Sequence, residues 1–156
     1  MKANSSATKQ NFVSDLVEDM IRHEGYVNAI YSDSLGYKTL GIGHLVLSYD
    51  DEHFKEVGMP VSNWRVADYF FKDLSNKFND CKRLYPDIET YPEEVQLILI
   101  NMMFNLGYNK LSKFKKMKAA IERNDWKQAA EEMKDSLWFK QVKSRGVELY
   151  ERMRNV

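Results

Sequence analysis

Glu24 and Asp33 are two carboxylates nine residues apart in a stretch rich in glycine and hydroxyl side chains, and Thr39 follows six residues later. Local patterning puts Glu24 in the last turn of a helix, directly before Gly25, and puts Asp33 and Thr39 on or beside a hairpin. A strand rises ~3.3 Å per residue, so a hairpin of this length can fold Asp33 back to within ~10 Å of Glu24. Two carboxyls facing each other can do general acid and base work if an apolar setting keeps one protonated and a polar one keeps the other ionised. That is the minimum equipment for cleaving a glycosidic bond, and the Thr39 hydroxyl can hold a water without adding charge. Spacing alone does not decide the matter, because such acid pairs are common and a helix-end glutamate is more often simply solvated.

The elements that must position these residues are legible from periodicity. Phe12, Val13, Leu16, Val17, Met20 and Ile21 recur at helical spacing, and Gly25 stands where a helix-ending glycine belongs. Residues 26–47 change texture, with glycines at 36, 41 and 43 and a turn signal in Asp33-Ser-Leu-Gly36, and read as a small antiparallel sheet. Ser48-x-x-Asp51 can cap a short helix ending before Gly58. A long helix over 63–81 follows, with Ser62 as N-cap, Val61 and Val66 as a hydrophobic staple, and Ala67, Phe70, Phe71, Leu74, Phe78 and Cys81 as its apolar face. Thr90-x-x-Glu93 starts a helix that is apolar on nearly every side from Val95 to Leu106 and is therefore the buried central one, ending at Gly107. Helices over 111–123, 125–134 and 136–152 complete the chain, with Asn124 and Asp135 or Ser136 as caps. The expected fold is α+β and mostly α, a single domain with no internal repeat. It comprises a small antiparallel sheet lobe (about 26–61), a linking helix (about 63–81) and a helical lobe (about 11–24 with 82–156). A cleft between the lobes is the expected place for an extended substrate.

Composition narrows the class. With 156 residues, 44% of them hydrophobic, the chain can bury a sizeable core. No run approaches the ~18 apolar residues of a membrane span, so stable membrane insertion is not expected. The single Cys81 forms no internal disulfide and, on a helical apolar face, reads as a small buried hydrophobe. Zero net charge hides an asymmetry: residues 1–80 carry 8 Lys/Arg against 12 Asp/Glu, and residues 81–156 carry 15 against 11. Five lysines fall between Lys110 and Lys118, a patch that suits an anionic partner or is a solvated helix face. Residues 1–10 are polar, lack the hydrophobic core of a signal peptide, and read as a frayed extension. The protein is accordingly expected to be made in the cytoplasm, and to act outside the membrane it would need another route of export or a hole made by something else. His23 and His53 have no ligand spacing around them, so neither metal nor cofactor is expected. Trp64, Trp126 and Trp138 read as packing residues, with sugar stacking open only to one left exposed.

The segment Glu24-Gly25 … Tyr31-x-Asp33-x-x-Gly36-x-x-Thr39-x-Gly41-x-Gly43-His44 resembles the active-site signature of the phage-type lysozymes, glycoside hydrolase family 24. Further along, Ile100-Asn-Met-x-Phe-x-x-Gly107 resembles that family's central helix, and Trp126-x-x-Ala-Ala130 and Ser136-x-Trp138 with Arg145 its closing segments. The resemblance covers the chain from Asp15 to about Met153. It implies a muramidase acting on the β-1,4 bond between N-acetylmuramic acid and N-acetylglucosamine of peptidoglycan strands, working as a monomer and without nucleic acid. It implies Glu24 as general acid, Asp33 as second carboxylate, Thr39 as a water-placing residue, and Leu45 and Phe104 as lining the glycan cleft. In the same way it implies support from Arg145 as an ion-pair partner of the catalytic glutamate. Two saccharide-contacting positions depart from the family: Met117 replaces a small hydroxyl residue and Glu132 an amide. His44 reads as structural, paired with Asp73 on the long helix, rather than as a base. Gly41 and Gly43 read as places where the backbone turns tightly or approaches substrate.

Three rivals remain. A lytic transglycosylase would cut the same bond with one glutamate, and Asp33 and Thr39 argue against it. A wall-binding or tail module that had lost turnover would not need both acids. Nucleic-acid binding through the lysines has no recognised motif behind it.

Overall fold

The computed structural model describes residues 5–156. Its elements, in order, are α1 (Ser5–Glu24), β1 (Val27–Ser32), β2 (Lys38–Gly41), β3 (His44–Leu45), α2 (Asn63–Leu84), α3 (Glu93–Leu106), α4 (Tyr108–Leu111), α5 (Lys115–Glu122), α6 (Trp126–Lys134), α7 (Leu137–Val142) and α8 (Ser144–Arg154). Short 3₁₀ turns lie at Asp51–Phe54 and Ile88–Thr90. The expected α+β class, mostly α with one small antiparallel sheet, is what the chain forms. The chain divides into two compact units, residues 1–76 and 77–156, and the boundary falls inside α2.

In the first unit the sheet runs β1-β2-β3, antiparallel throughout, with a bulge in β1 between Val27 and Tyr31. Segment 58–61 lies along the free edge of β1: the Ile30 amide donates to Met59 O at 2.9 Å, and the Val61 amide to Asn28 O at 2.8 Å. Ile30, Leu40, Ile42, Val61, Val66 and Phe70 are buried, as are Leu16 and Met20 of α1. Ser62 caps α2 by accepting from the Arg65 amide at 3.1 Å, as expected.

In the second unit α3 is the buried helix its composition predicts, with every residue from Leu97 to Met103 buried. Cys81 is fully buried, and burial first, then Asp80, pushes its thiol up to about 12, so it behaves as a hydrophobe. Gly107 ends α3 with φ 77°. Asp125 caps α6 and Ser136 caps α7, each accepting a backbone N–H at 3.1 Å.

Several local expectations are corrected. Of the polar residues 1–10, residues 5–10 belong to α1, whereas 1–4 lie outside the described residues. Ser48 caps nothing: Asp50 takes the turn instead, its Oδ2 accepting from the Leu47 amide at 2.8 Å. Thr90 is no capping box either, because its hydroxyl donates back to Asp87 O and α3 starts at Glu93. Phe71 is half exposed and Ala67 exposed, so the buried face of α2 runs through Val66, Tyr69, Phe70, Cys81 and Leu84. The helix expected over 136–152 breaks at Lys143, whose φ of 52° no α-helix accommodates. Asn124 is a left-handed turn residue (φ 58°) just before the cap, not the cap itself.

Candidate active site

Glu24 is the last residue of α1. Gly25 (φ 82°) closes the helix, its amide donating to Ile21 O at 2.8 Å, and turns the chain into β1. The half-buried Glu24 side chain rests on the backbone of Gly43: a Cβ there would stand 2.9 Å from Glu24 Oε2 and 3.3 Å from Cδ. Gly43 therefore leaves room for the carboxyl, and any side chain would displace it. Gly41 makes the equivalent close approach to Val66, 2.7 Å from its Cγ1. Gly41 and Gly43 both have positive φ (60° and 65°), in line with the tight turns expected at these positions.

Asp33 opens the β1–β2 turn. Its amide donates to Tyr37 O at 2.9 Å and its carbonyl accepts from the Gly36 amide at 3.0 Å. Its carboxylate caps the same turn, with Oδ1 accepting from the amides of Leu35 (2.9 Å) and Tyr37 (2.8 Å). Both bonds fall on one oxygen, so Oδ2 is left for another partner. Thr39 lies directly opposite Tyr31 on β1 and opposite Leu45 on β3, which sets Tyr31, Thr39 and Leu45 in one row on one face of the sheet. The Tyr31 phenol is raised by its burial, then by Glu24 and then by Asp33. It thus registers both carboxylates, which places all three groups in one neighbourhood. Thr39 is buried and its hydroxyl donates to Tyr37 O at 3.1 Å, which leaves its lone pairs for another partner. Leu45 is 47% exposed, an apolar side chain open to contact beside Thr39.

His44 joins sheet to helix. Its Nδ1 meets Asp73 Oδ2 at 2.7 Å, as expected, and its Nε2 meets Asp50 Oδ2 at 2.9 Å. The ring stacks on Tyr69 with centroids 4.0 Å apart. Burial opposes the charged form, but the hydrogen bonds to Asp73 and Asp50 outweigh it and raise the pKa above 6.5. Both ring nitrogens are spent, so His44 is a structural cation rather than a free base. Its stabilisation is fully present below the unfolded value of ~6.5 and is lost as pH rises through the higher folded value. Asp73→Asn should therefore melt below wild type at about pH 5.5, by the equivalent of roughly 1–3 kcal/mol, with the gap narrowing on the alkaline side. Coincident melting curves at the acidic pH would contradict the pair.

The second unit carries Phe104, half-buried on α3, and Arg145, which is buried and not the surface arginine it could otherwise be. Arg145 Nε donates to Asn101 Oδ1 at 2.9 Å. A groove of about 740 Å3 opens in this unit, lined on one side by Lys110, Lys113, Lys115 and Lys116 and also by Glu132 and Asp135. Met117, buried, lines it as well, so both departures from the family pattern sit in one cavity. Trp138 packs edge-on against Phe114, its indole N–H donating to Asn105 Oδ1 at 2.7 Å.

The phage lysozyme family model matches residues 21–154, which takes in every residue of the site. The chain belongs to the phage lysozyme family. Among its relatives, probable T4-type lysozymes 1 and 2 of Dictyostelium discoideum are 31% and 30% identical, each aligned over 83% of this chain and 88% of its own length. The pre-baseplate central spike protein Gp5 of Enterobacteria phage T4 is 29% identical over 88% of this chain, but the match spans only 27% of that longer protein. Within this lysozyme-family chain, sequence reasoning passed over three parts of the site's frame. Asp50 carries no signal beyond its place three residues after Leu47. Tyr31 stands in the signature, but only the register to Thr39 gives it a position. The Glu52–Arg65–Tyr69 cluster brings Glu52 to two residues 13 and 17 positions away, which no local pattern marks.

Proposed function

We propose that the protein hydrolyses the β-1,4 bond between N-acetylmuramic acid and N-acetylglucosamine in bacterial peptidoglycan, with inversion at the anomeric carbon. Glu24 protonates the leaving oxygen as general acid. A water on the opposite face of the sugar gives one proton to Asp33 and directs its other hydrogen to Thr39 Oγ1, which leaves a lone pair aimed at the anomeric carbon. The observation that carries this reading is the Thr39 hydroxyl: while it donates to Tyr37 O, its lone pairs are available to accept from that water. Asp33 likewise keeps Oδ2 clear of its turn. A water-holding threonine is of no use to an enzyme whose aspartate attacks directly, so this role for Thr39 supports inversion, which needs carboxyls ~6.5–9.5 Å apart, over retention, which needs ~5–5.5 Å. Leu45, and Phe104 in the second unit, supply apolar contact to the glycan. The four lysines of the 740 Å3 groove suit the anionic substituents of a wall strand. The protein acts on the wall after release from the cytoplasm, as a monomer.

Time-resolved NMR of a soluble peptidoglycan fragment tests the mechanism. The α-anomer should appear first. Thr39→Ala should keep KM within about threefold while kcat falls by roughly 10–100-fold. The β-anomer first, or a glycosyl ester trapped on Asp33, overturns inversion, and a 1,6-anhydro product assigns the chain to the lytic transglycosylases instead.

A further inference from the structure

The indole of Trp64, in the first turn of α2, is 73% exposed, while Trp138 is buried and Trp126 half-buried against Tyr91. It borders a second concavity of about 380 Å3, within the ~300–1,000 Å3 usual for small-ligand sites, whose other polar walls are Asp51, Glu52, Lys55, Ser62 and Arg65. These groups are held in place rather than loose. Arg65 Nε donates to Glu52 Oε1 at 2.9 Å, its Nη2 donates to the Tyr69 hydroxyl at 2.7 Å, and its guanidinium lies 4.3 Å over the Tyr69 ring. Lys38 Nζ fixes the 51–55 turn by donating to His53 O (3.1 Å) and Lys55 O (2.7 Å). The Asp51 side chain is 85% exposed, with Oδ2 3.4 Å from Arg65 Nη2.

The chemistry of this pocket differs from that of the lysine-lined groove. Asp51 and Glu52 balance Lys55 and Arg65, so neither an anion nor a cation is favoured and the fitting ligand is neutral. An exposed flat indole offers a π face to the C–H groups on one side of a pyranose ring. The held Arg65 guanidinium and the exposed Asp51 carboxylate beside it suit the paired hydroxyls on the ring's edge. None of these residues belongs to the Glu24–Asp33–Thr39 cluster. We propose that Trp64, Asp51 and Arg65 form a second carbohydrate site that binds a neutral N-acetylhexosamine unit of the wall glycan away from the bond being cut. The ligand class rests on the lysozyme reading; the concavity and its charge balance do not. The site tethers the protein to insoluble polymer and has no part in the chemical step.

The test uses the full chain. In ¹H–¹⁵N spectra, the Trp64 indole N–H, assigned by its absence in Trp64→Phe, should shift saturably with chitotriose and stay put with poly(glycerol phosphate). In a Glu24→Gln background, Trp64→Ala should weaken retention on insoluble peptidoglycan about tenfold, while in the active chain it leaves kcat on a short soluble glycan unchanged. Asp51→Ala, at a side chain too exposed to affect folding, should weaken the chitotriose response and keeps the site testable if Trp64→Ala does not fold. An indole unmoved by chitotriose, an equal response to the phosphate polymer, or undiminished wall retention in Asp51→Ala overturns the site. A chain that shifts the indole but leaves peptidoglycan uncut sinks the lysozyme reading and keeps the sugar site.

Discussion

Glu24→Gln abolishes clearing of a peptidoglycan suspension, with kcat reduced by about 10³-fold or more, as expected when an amide replaces a positioned general acid. The amide has the size of the carboxyl, so it still fits against Gly43, where only an added Cβ, 2.9 Å from Oε2, would crowd it. Folding should be little affected, with a melting temperature within a degree or two of wild type, and wall binding should persist. This separation is the point of the experiment, because loss of activity with loss of fold would say nothing about proton transfer. Turbidity measured beside thermal melting reads both quantities, and a Glu24→Gln protein that clears the wall at the wild-type rate removes Glu24 from the acid role. Gly25 and Gly43 frame this residue on either side. One turns the chain directly after the glutamate, and the other leaves its side chain the room it needs.

The largest stability effect belongs to a residue outside the reacting groups. Arg65→Met should cost about 3 kcal/mol at neutral pH, or roughly 10 °C in melting temperature for a chain of this size. Glu52 is 3% exposed and has the Arg65 guanidinium and the Tyr69 hydroxyl as partners. Burial pushes the Glu52 pKa up, but hydrogen bonds from Arg65 and Tyr69 more than offset it and hold the carboxyl at about 2, against 4.5 for an ordinary glutamate. A carboxylate held that low stabilises the fold above its unfolded value near 4.5, and that contribution is lost as pH falls toward 2. In Arg65→Met the charge stays buried without its cation, which is the costly way to break such a pair. The gap between variant and wild type should therefore narrow from pH 7 to pH 3, as the uncompensated carboxyl takes up a proton. A gap independent of pH over that range would show that lost packing over the Tyr69 ring, not charge, sets the cost. Arg65 is also a wall of the proposed sugar pocket, which is why Asp51 and Trp64 are the residues chosen to probe that site.

The local chemistry of the chain was legible in its sequence wherever one residue acts on near neighbours. Periodicity placed α1, the long helix and the buried α3. Gly25 and Gly107 ended helices, Ser62 and Ser136 capped them, and Asp33 with Gly36 formed the turn, because caps and turns are decided within three or four residues by a single side chain or φ angle. The motif from Glu24 to His44 marked the candidate residues, and the reading of His44 as a structural partner of Asp73 rather than a base agrees with the contact the fold makes. Tertiary structure decided what competes for each group. Asp50, which no local pattern marks, grips the Leu47 amide and the His44 ring together. Gly43 proved to face Glu24, Tyr31 gained its place through register with Thr39, and Lys143 broke a helix whose periodicity ran straight through it. Burial made Arg145 and Glu52 interior charges and left Trp64 outside. A side chain's type and spacing state what it can bond to; which partner it takes depends on distances between segments far apart in sequence, and only packing sets those.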